Sequence, residues 1–210
     1  VKTIVTSHLV SVIASKYGAE TADLLTGFKY IGELVTKLEK KNETDRFILG
    51  MEESYGYLRG AHARDKDAVV ASMLICEMAA YYKSKGISLY NQMQNIYKEY
   101  GMFLNTLLNF GFEGAAGMQK MSDMMTGLRN NPPKTIAGRE VVEVSDYKLS
   151  TRTDTKSGTV EEIKLPKSNV LAYKLPSGSG VIVRPSGTEP KIKIYITAVA
   201  SDRASAEAFT

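Results

Sequence analysis

Arg184-Pro-Ser-Gly-Thr-Glu-Pro-Lys191 gathers a guanidinium, two hydroxyls and a glycine between two prolines. A guanidinium can grip two phosphate oxygens at once, and the hydroxyls of Ser186 and Thr188 can donate beside it. Gly187 lets backbone N–H groups come close to an anion. Pro185 and Pro190 stiffen the loop, so less ordering is left for the moment of binding. Lys191 and Lys193 lie two apart and share one face of the strand that follows, while Ile192, Ile194 and Ile196 share the other. A polar hairpin turn would use many of the same residues, because Ser-Gly-Thr turns are common. The lysines that follow favour a phosphate site.

A second cluster is Glu52-Glu-Ser-Tyr-Gly56, placed after the run Phe47-Ile-Leu. Carboxylates that accept from vicinal hydroxyls, with a serine beside them, suit a sugar. By themselves these residues fit a solvated acidic loop equally well. Adjacent carboxylates leaving a strand diverge, so one cation rarely receives both. His8 and His62 have no carboxylate at a diagnostic spacing and are expected at the surface or in loops. Cys76, in Ser72-Met-Leu-Ile-Cys-Glu-Met-Ala, is expected in the core rather than as a nucleophile.

These residues need elements to hold them. Lys2 to Thr6 predicts a short strand, Leu9 to Tyr17 a helix ending at Gly18, and Glu20 to Leu24 another strand. A helix should run from the Thr26-Gly-Phe-Lys segment to Lys40, followed by a buried strand at Arg46 to Gly50 and a polar loop at Met51 to Gly56. Helices are predicted at Asp67 to Lys85, Ser88 to Tyr100 and Gly117 to Leu128. Strands alternating with helices imply an α/β layer with a mostly parallel sheet, whose ligands sit at the carboxyl ends of the strands. Tyr81, Tyr82, Tyr90, Tyr97 and Tyr100, and Met118, Met121, Met124 and Met125, follow helical spacing and read as packing groups.

Asn130-Asn-Pro-Pro breaks that pattern, and a domain boundary is expected there, giving domains at 1–129 and 130–210. Beyond it Val141–Val144, Val170–Lys174, Val181–Val183 and Ile192–Ile196 predict an antiparallel sheet with a terminal helix opened by Ser201 or Asp202. Leu149 to Lys164 should be an exposed excursion. A strand already under way at Val1 and a helix barely begun at Thr210 suggest a piece of a longer protein.

The 210 residues can bury a sizeable core, and 43% hydrophobic with 24% charged residues describes an ordinary globule. A net charge of +4 without a basic, aromatic-laced stripe argues against nucleic acid. No run reaches membrane-spanning length. One cysteine excludes an internal disulfide and fits a reducing cytoplasm.

Arg184-Pro-Ser-Gly-Thr-Glu-Pro-Lys191 resembles the C-terminal phosphate-binding loop of the α-D-phosphohexomutases, the phosphoglucomutase/phosphomannomutase family. Glu52-Glu-Ser-Tyr-Gly resembles that family's sugar-binding loop, Gly-Glu-Glu-Ser-aromatic-Gly, with Met51 in the first glycine's place and Gly50 offering the same freedom one residue earlier. Thr26-Gly-Phe-Lys is similar to a segment lying against the sugar phosphate, with Phe28 where some members carry histidine. Arg64-Asp-Lys-Asp resembles the segment before the long helix, where Asp67 would cap. The resemblance covers nearly the whole chain, in family order.

It implies an α/β/α domain with a mostly parallel mixed sheet, followed by a smaller α+β domain resembling the TATA-binding protein and truncated at its last helix. It implies sugar contacts from Glu52, Ser54, Thr26 and Gly27, with Glu53 a weaker candidate. Phosphate contacts would come from Arg184, Ser186, Gly187, Thr188, Lys193, Lys66 and Lys29. The implied reaction shifts a phosphoryl group between C1 and C6 of a hexose through a phosphoserine and a bisphosphate. The implied cofactors are Mg²⁺, with ligands in the N-terminal domains, and glucose 1,6-bisphosphate as intermediate and activator. The Thr-Ala-Ser-His-Asn-Pro-like serine segment and the Asp-x-Asp-x-Asp metal loop are absent from this sequence, and Thr6-Ser7-His8 lacks the following Asn-Pro. The chain alone is therefore expected to be inactive; its oligomeric state is left open, with a monomer expected, and its compartment is expected to be the cytoplasm. A phosphopentomutase or glucose-1,6-bisphosphate-forming branch, or a non-catalytic sugar-phosphate-binding module, are the alternatives.

Overall fold

The chain divides into two units, Val1–Gly101 and Met102–Thr210. The structure, a computed structural model, describes every residue except Thr188 and Thr210, and all described side chains except that of Ala115.

In the first unit the order is β1 (Lys2–Thr3), α1 (Leu9–Lys16), β2 (Asp23–Leu24), α2 (Phe28–Glu39), β3 (Leu49–Glu52), β4 (Gly56–Arg59), α3 (Ala68–Ser84) and α4 (Leu89–Tyr100). The sheet order is β2-β1-β3-β4. β1 runs parallel to β2 and to β3, and β4 returns antiparallel along β3. The expected mixed, mostly parallel layer is therefore present. Its core joins Phe28, Ile31 and Val35 of α2 to Phe47 and Leu58. Residues 31 and 35 are one helical turn apart, so they face the sheet together.

Two local readings shift. The strand expected at Arg46–Gly50 begins later, because Thr44–Arg46 forms a 3-10 turn and Ile48 points to solvent. The loop expected at Met51–Gly56 is a hairpin, with Met51 opposite Tyr57 and Glu52 opposite Gly56. Gly50 supplies no special backbone freedom. A Cβ there would lie 2.6 Å from Cγ2 of Ile31 and 3.0 Å from Cζ of Phe47, so glycine is needed for helix–strand packing.

Helix α3 carries a larger correction. Cys76 is exposed rather than buried. None of the 17 residues of α3 is buried, and Val69, Met73, Ile75 and Tyr81 are each more than half exposed. The helix is apolar on nearly every face, and a four-stranded sheet cannot cover all of them. Tyr90 on α4 is exposed as well.

The second unit holds β5 (Met102–Gly111), α5 (Gly114–Asn130), a small hairpin of β6 (Thr135–Ile136) and β7 (Arg139–Glu140), then β8 (Glu143–Asp146), β9 (Thr151–Asp154), β10 (Val160–Glu162), β11 (Leu171–Lys174), β12 (Gly180–Pro185), β13 (Lys191–Ala200) and α6 (Arg203–Glu207). Its seven-stranded sheet is ordered β10-β9-β8-β11-β12-β13-β5 and is antiparallel throughout. The division between compact units falls before β5. Strand β5 pairs with β13 along its whole length, Met102 opposite Ala200 through Gly111 opposite Lys191. That ladder ties Met102–Gly111 to the C-terminal sheet, and α5 joins the same core through Met121 and Met125.

Met121 and Met125 of α5 enter the core with Leu171, Tyr173, Val183 and Ile192, while Met118 and Met124 face outward. The methionine stripe thus packs along one edge only. The segment expected as an excursion is the β9–β10 hairpin, its turn closed by the Asp154 carboxylate accepting from the N–H groups of Lys156 and Ser157. Asp202 caps α6 through the N–H of Ser205.

Candidate functional site

Two clusters of polar residues lie in the two units, and each is described within its own unit. In the first, the parallel strands β1, β2 and β3 end at one edge, where an open α/β sheet presents its ligand loops. The segment after β1 holds Thr6, the segment after β2 holds Thr26 and Gly27, and the hairpin after β3 holds Glu53 and Ser54.

Gly27 is the N-cap of α2 with φ of 118° and ψ of 122°, a conformation that favours glycine. Its N–H donates to Oε1 of Glu52 at 2.7 Å. Glu52 therefore joins the third loop to the second, and a carboxylate acceptor makes this a strong hydrogen bond. Of the four residues expected to contact sugar, Glu52 and Gly27 are joined directly by this bond.

Ser54 sits at the exposed tip of the hairpin and donates to Oε1 of Glu53 at 3.3 Å. Tyr55, next to it, has φ of 59° and is 92% exposed, an uncommon backbone state for an aromatic residue. Gly56 closes the hairpin in tight surroundings. A Cβ there would meet Cδ of Lys66 at 2.9 Å and Cδ2 of Phe28 at 3.2 Å. The Lys66 stem thus lies on the hairpin, and its ammonium stands 5.0 Å over the Phe28 ring while pairing with Asp65 at 2.9 Å. Lys66 is brought to the same hairpin as Ser54. Lys29 is not: it is an exposed residue in the first turn of α2, with its ammonium 4.9 Å over the ring of Tyr30.

Asp67 caps α3, Oδ1 accepting from the N–H groups of Val69 and Val70 at 2.9 and 3.0 Å. Its Oδ2 lies 2.7 Å from Nε2 of His62. His62 is exposed, as expected, and the turn after β4 folds it back over the helix start, a pairing that its spacing from Asp67 does not signal. The N–H of Val70, then the His62 contact, hold the Asp67 carboxyl below the usual carboxylate range.

In the second unit, β12 and β13 flank the loop that carries Arg184, Ser186, Gly187 and Thr188. Thr188, expected to bind phosphate, lies outside the described residues. The ladder sets Arg184 opposite Lys193 and Pro185 opposite Ile192, so the guanidinium and the ammonium stem are neighbours on one face. On the other side Lys193 is opposite Asn109 of β5. Like charges set opposite each other across a ladder are unfavourable unless something neutralises them. Among the described residues no carboxylate lies within ion-pair distance of Arg184 or Lys193. Lys191, by contrast, is engaged by Glu189 at 2.5 Å, and this pairing holds the Glu189 carboxyl low. The loop is closed by the N–H of Ser186 donating to the Lys191 carbonyl at 2.8 Å. One lysine of the loop is paired internally, and the charge of Lys193 also reaches the Glu189 carboxylate without an ion-pair contact.

Sequence reasoning missed the roles of Lys2, Thr3 and Thr6. Lys2 is only 2% exposed, and its ammonium reaches Asp23 at 2.9 Å and the carbonyls of Thr6 and Thr3 at 3.2 and 3.4 Å. Nothing in the spelling Val-Lys-Thr-Ile separates this lysine from a surface one. Among the described residues no three His, Cys, Asp or Glu side chains converge as a metal site, so the residues present do not fit a magnesium centre. No helix of the described residues is long and apolar enough to cross a membrane.

Residues 1–100 match the family described as phosphoglucomutase/phosphomannomutase, alpha/beta/alpha domain III, and residues 136–208 match its C-terminal domain. The phosphoglucomutase of Staphylococcus saprophyticus is 36% identical over 197 residues, which cover 94% of this chain and 35% of that protein. The phosphoglucomutase of Staphylococcus aureus strain MRSA252 gives the same identity and the same coverage. The chain thus spans about a third of the length of the curated relatives it matches. Among solved structures, Paramecium parafusin, titled a phosphoglucomutase in its open form, superposes with a TM-score of 0.67 over 99% of this chain and 35% of its own. At 20% identity that likeness speaks to fold.

Proposed function

The chain belongs to the phosphoglucomutase/phosphomannomutase family, and from that premise we propose that it is the substrate-binding C-terminal part of an enzyme moving a phosphoryl group between C1 and C6 of a hexose. The observation that carries this reading is the Arg184–Lys193 pair, two cations set opposite each other with no carboxylate at ion-pair distance among the described residues. A substrate phosphate supplies the missing charge. Arg184 can grip two of its oxygens, Ser186 can donate, and the Gly187 backbone can approach closely. Thr188 in the second unit and, separately, Lys66 and Lys29 in the first are retained as candidate phosphate-binding residues in this proposal.

Within the first unit, sugar hydroxyls are assigned to Glu52 and Ser54, with Thr26 and Gly27 beside them. Glu52 is already oriented by the N–H of Gly27. Its second oxygen can accept from a hydroxyl, and an acceptor of this kind serves a sugar presented in either direction. Phosphoryl transfer depends chiefly on positioning and on charge neutralisation. The residues of this chain do both without forming a bond to the substrate.

The phosphoserine that donates and retrieves the phosphoryl group belongs, on this reading, to N-terminal domains outside this sequence. Magnesium, when bound there, would neutralise charge on the transferring group. No step at the metal is assigned to this chain. The chain by itself is inactive, and the whole enzyme works in the cytoplasm with glucose 1,6-bisphosphate as its intermediate. The Glu-Glu-Ser-aromatic-Gly hairpin points to glucose over mannose or glucosamine. A phosphopentomutase-like branch is the second reading, favoured by Thr26-Gly-Phe-Lys and Asp65-Lys-Asp.

The test is turnover of the full-length protein on glucose 1-phosphate, mannose 1-phosphate, glucosamine 1-phosphate and ribose 1-phosphate. Preference for glucose 1-phosphate supports the first reading, and preference for ribose 1-phosphate the second. Turnover by the 210-residue chain alone would contradict both.

A further inference from the structure

Glu53, the middle residue of the acidic hairpin, has both carboxylate oxygens engaged by hydroxyls. Oε2 accepts from Oγ1 of Thr3 and from Oγ1 of Thr6, each at 3.1 Å, across 50 and 47 residues of sequence. Oε1 accepts from Oγ of Ser54 at 3.3 Å. Thr3 and Thr6 also stand 2.9 Å apart, but each hydroxyl has one proton, and the ionised carboxylate is the stronger acceptor. The threonines are themselves fixed. Thr3 is fully buried, the N–H of Thr6 donates to the Thr3 carbonyl at 3.1 Å, and the Lys2 ammonium reaches both of their carbonyls.

We propose that Glu53 is a positioning residue: clamped by Thr3 and Thr6, it takes the proton of Ser54 and thereby fixes the polarity with which Ser54 meets the substrate. A serine hydroxyl has one proton and two lone pairs. With the proton turned toward Glu53, only lone pairs remain for the ligand. Ser54 then selects a group that donates, such as a ring hydroxyl, and rejects one that can only accept. This rests on the reading of Ser54 as a sugar contact and adds to it the direction of the hydrogen bond and the residues that set it.

The experiment is calorimetric titration of the full-length protein with glucose 1-phosphate and with its deoxy and fluoro analogues at each ring hydroxyl. Fluorine replaces a hydroxyl without supplying a proton. At one ring position both analogues should bind more weakly, by a similar factor of about fivefold, and Ser54→Ala should remove that discrimination. Thr6→Val and Glu53→Gln should each weaken glucose 1-phosphate, and together they should cost no more than Glu53→Gln alone. Thr3→Ser, which keeps the hydroxyl, should bind better than Thr3→Val. If fluoro analogues bind as well as glucose 1-phosphate at every position, or the Thr6 and Glu53 effects simply add, the proposal is overturned. Ser54→Ala separates the two levels. If it leaves affinity unchanged, the site reading fails and this proposal falls with it. If it weakens binding while the Thr6–Glu53 cycle is additive, the positioning role alone is lost.

Discussion

The carboxylate of Glu52 accepts the backbone N–H of Gly27 at 2.7 Å, tying the β3–β4 hairpin to the N-terminus of α2. Residues 25 apart in sequence thereby form one surface. Glu52→Ala removes the acceptor and leaves that N–H to find water. A loss of about 1 kcal/mol in unfolding free energy is expected from one such bond, measurable by urea denaturation. Glu52→Gln keeps an acceptor oxygen and should lose less stability than Glu52→Ala.

Two glycines of the same hairpin should respond differently to alanine. At Gly56 the new Cβ would press mainly on the flexible Lys66 stem at 2.9 Å, which can move away. At Gly50 it would press on Ile31 and Phe47 in the core, at 2.6 and 3.0 Å. Gly50→Ala should cost about 1–3 kcal/mol from overpacking, and Gly56→Ala less. The distinguishing mark of Gly56→Ala is displacement of the Lys66 ammonium from the Phe28 ring, visible as a change in the aromatic NMR shifts.

The α3 cap should titrate in acid. The Asp67 carboxyl is held below its ordinary value by the Val70 N–H and then by His62. A depressed folded value means that the stabilisation is complete above the unfolded carboxylate value near 4. It is lost as pH falls through the lowered folded value. Thermal midpoints measured from pH 5 downward should therefore drop more steeply for the natural protein than for Asp67→Asn, which still offers an acceptor but cannot titrate.

Arg129 and Asp146 form an ion pair at 2.7 Å with side chains 13% and 8% exposed, joining α5 to the sheet beneath it. Asp146 also accepts from the N–H groups of Lys148 and Leu149. Asp146→Ala would strand a largely buried guanidinium, and a cost of about 3 kcal/mol is expected. Chemical denaturation followed in the C-terminal unit measures it. The nearby Tyr173 hydroxyl is pushed up to about 12 by burial, so it stays protonated and donates to the Leu128 carbonyl throughout this range.

Where local chemistry decides, the sequence was readable. Asp67 before Ala68-Val-Val predicts a capped helix, and the ladder between Val181–Val183 and Ile192–Ile196 follows from their period-two pattern. Met102 to Gly111 was not readable as a strand, because Met-Phe-Leu-Asn-Thr-Leu-Leu-Asn-Phe-Gly lacks alternation and its partner β13 lies far along the chain. Cys76 was misplaced for the opposite reason. A helix apolar on all sides gives no signal for which side is covered. The cluster around Glu53 is tertiary, made by segments about fifty residues apart, and Lys2 finds Asp23 on the neighbouring strand β2; no spacing rule signals either. The β12–β13 connection was legible as a turn because its polar and proline residues are contiguous from Arg184 onward.

The measurement closest to the central claim is the affinity of the full-length protein for glucose 1-phosphate, taken beside glucose itself, in the natural sequence and in Arg184→Ala. Loss of a bidentate guanidinium contact should weaken glucose 1-phosphate by about thirtyfold and leave the weaker binding of glucose nearly unaltered. Equal affinity of both proteins for glucose 1-phosphate would contradict the assignment of the β12–β13 loop as the phosphate clamp.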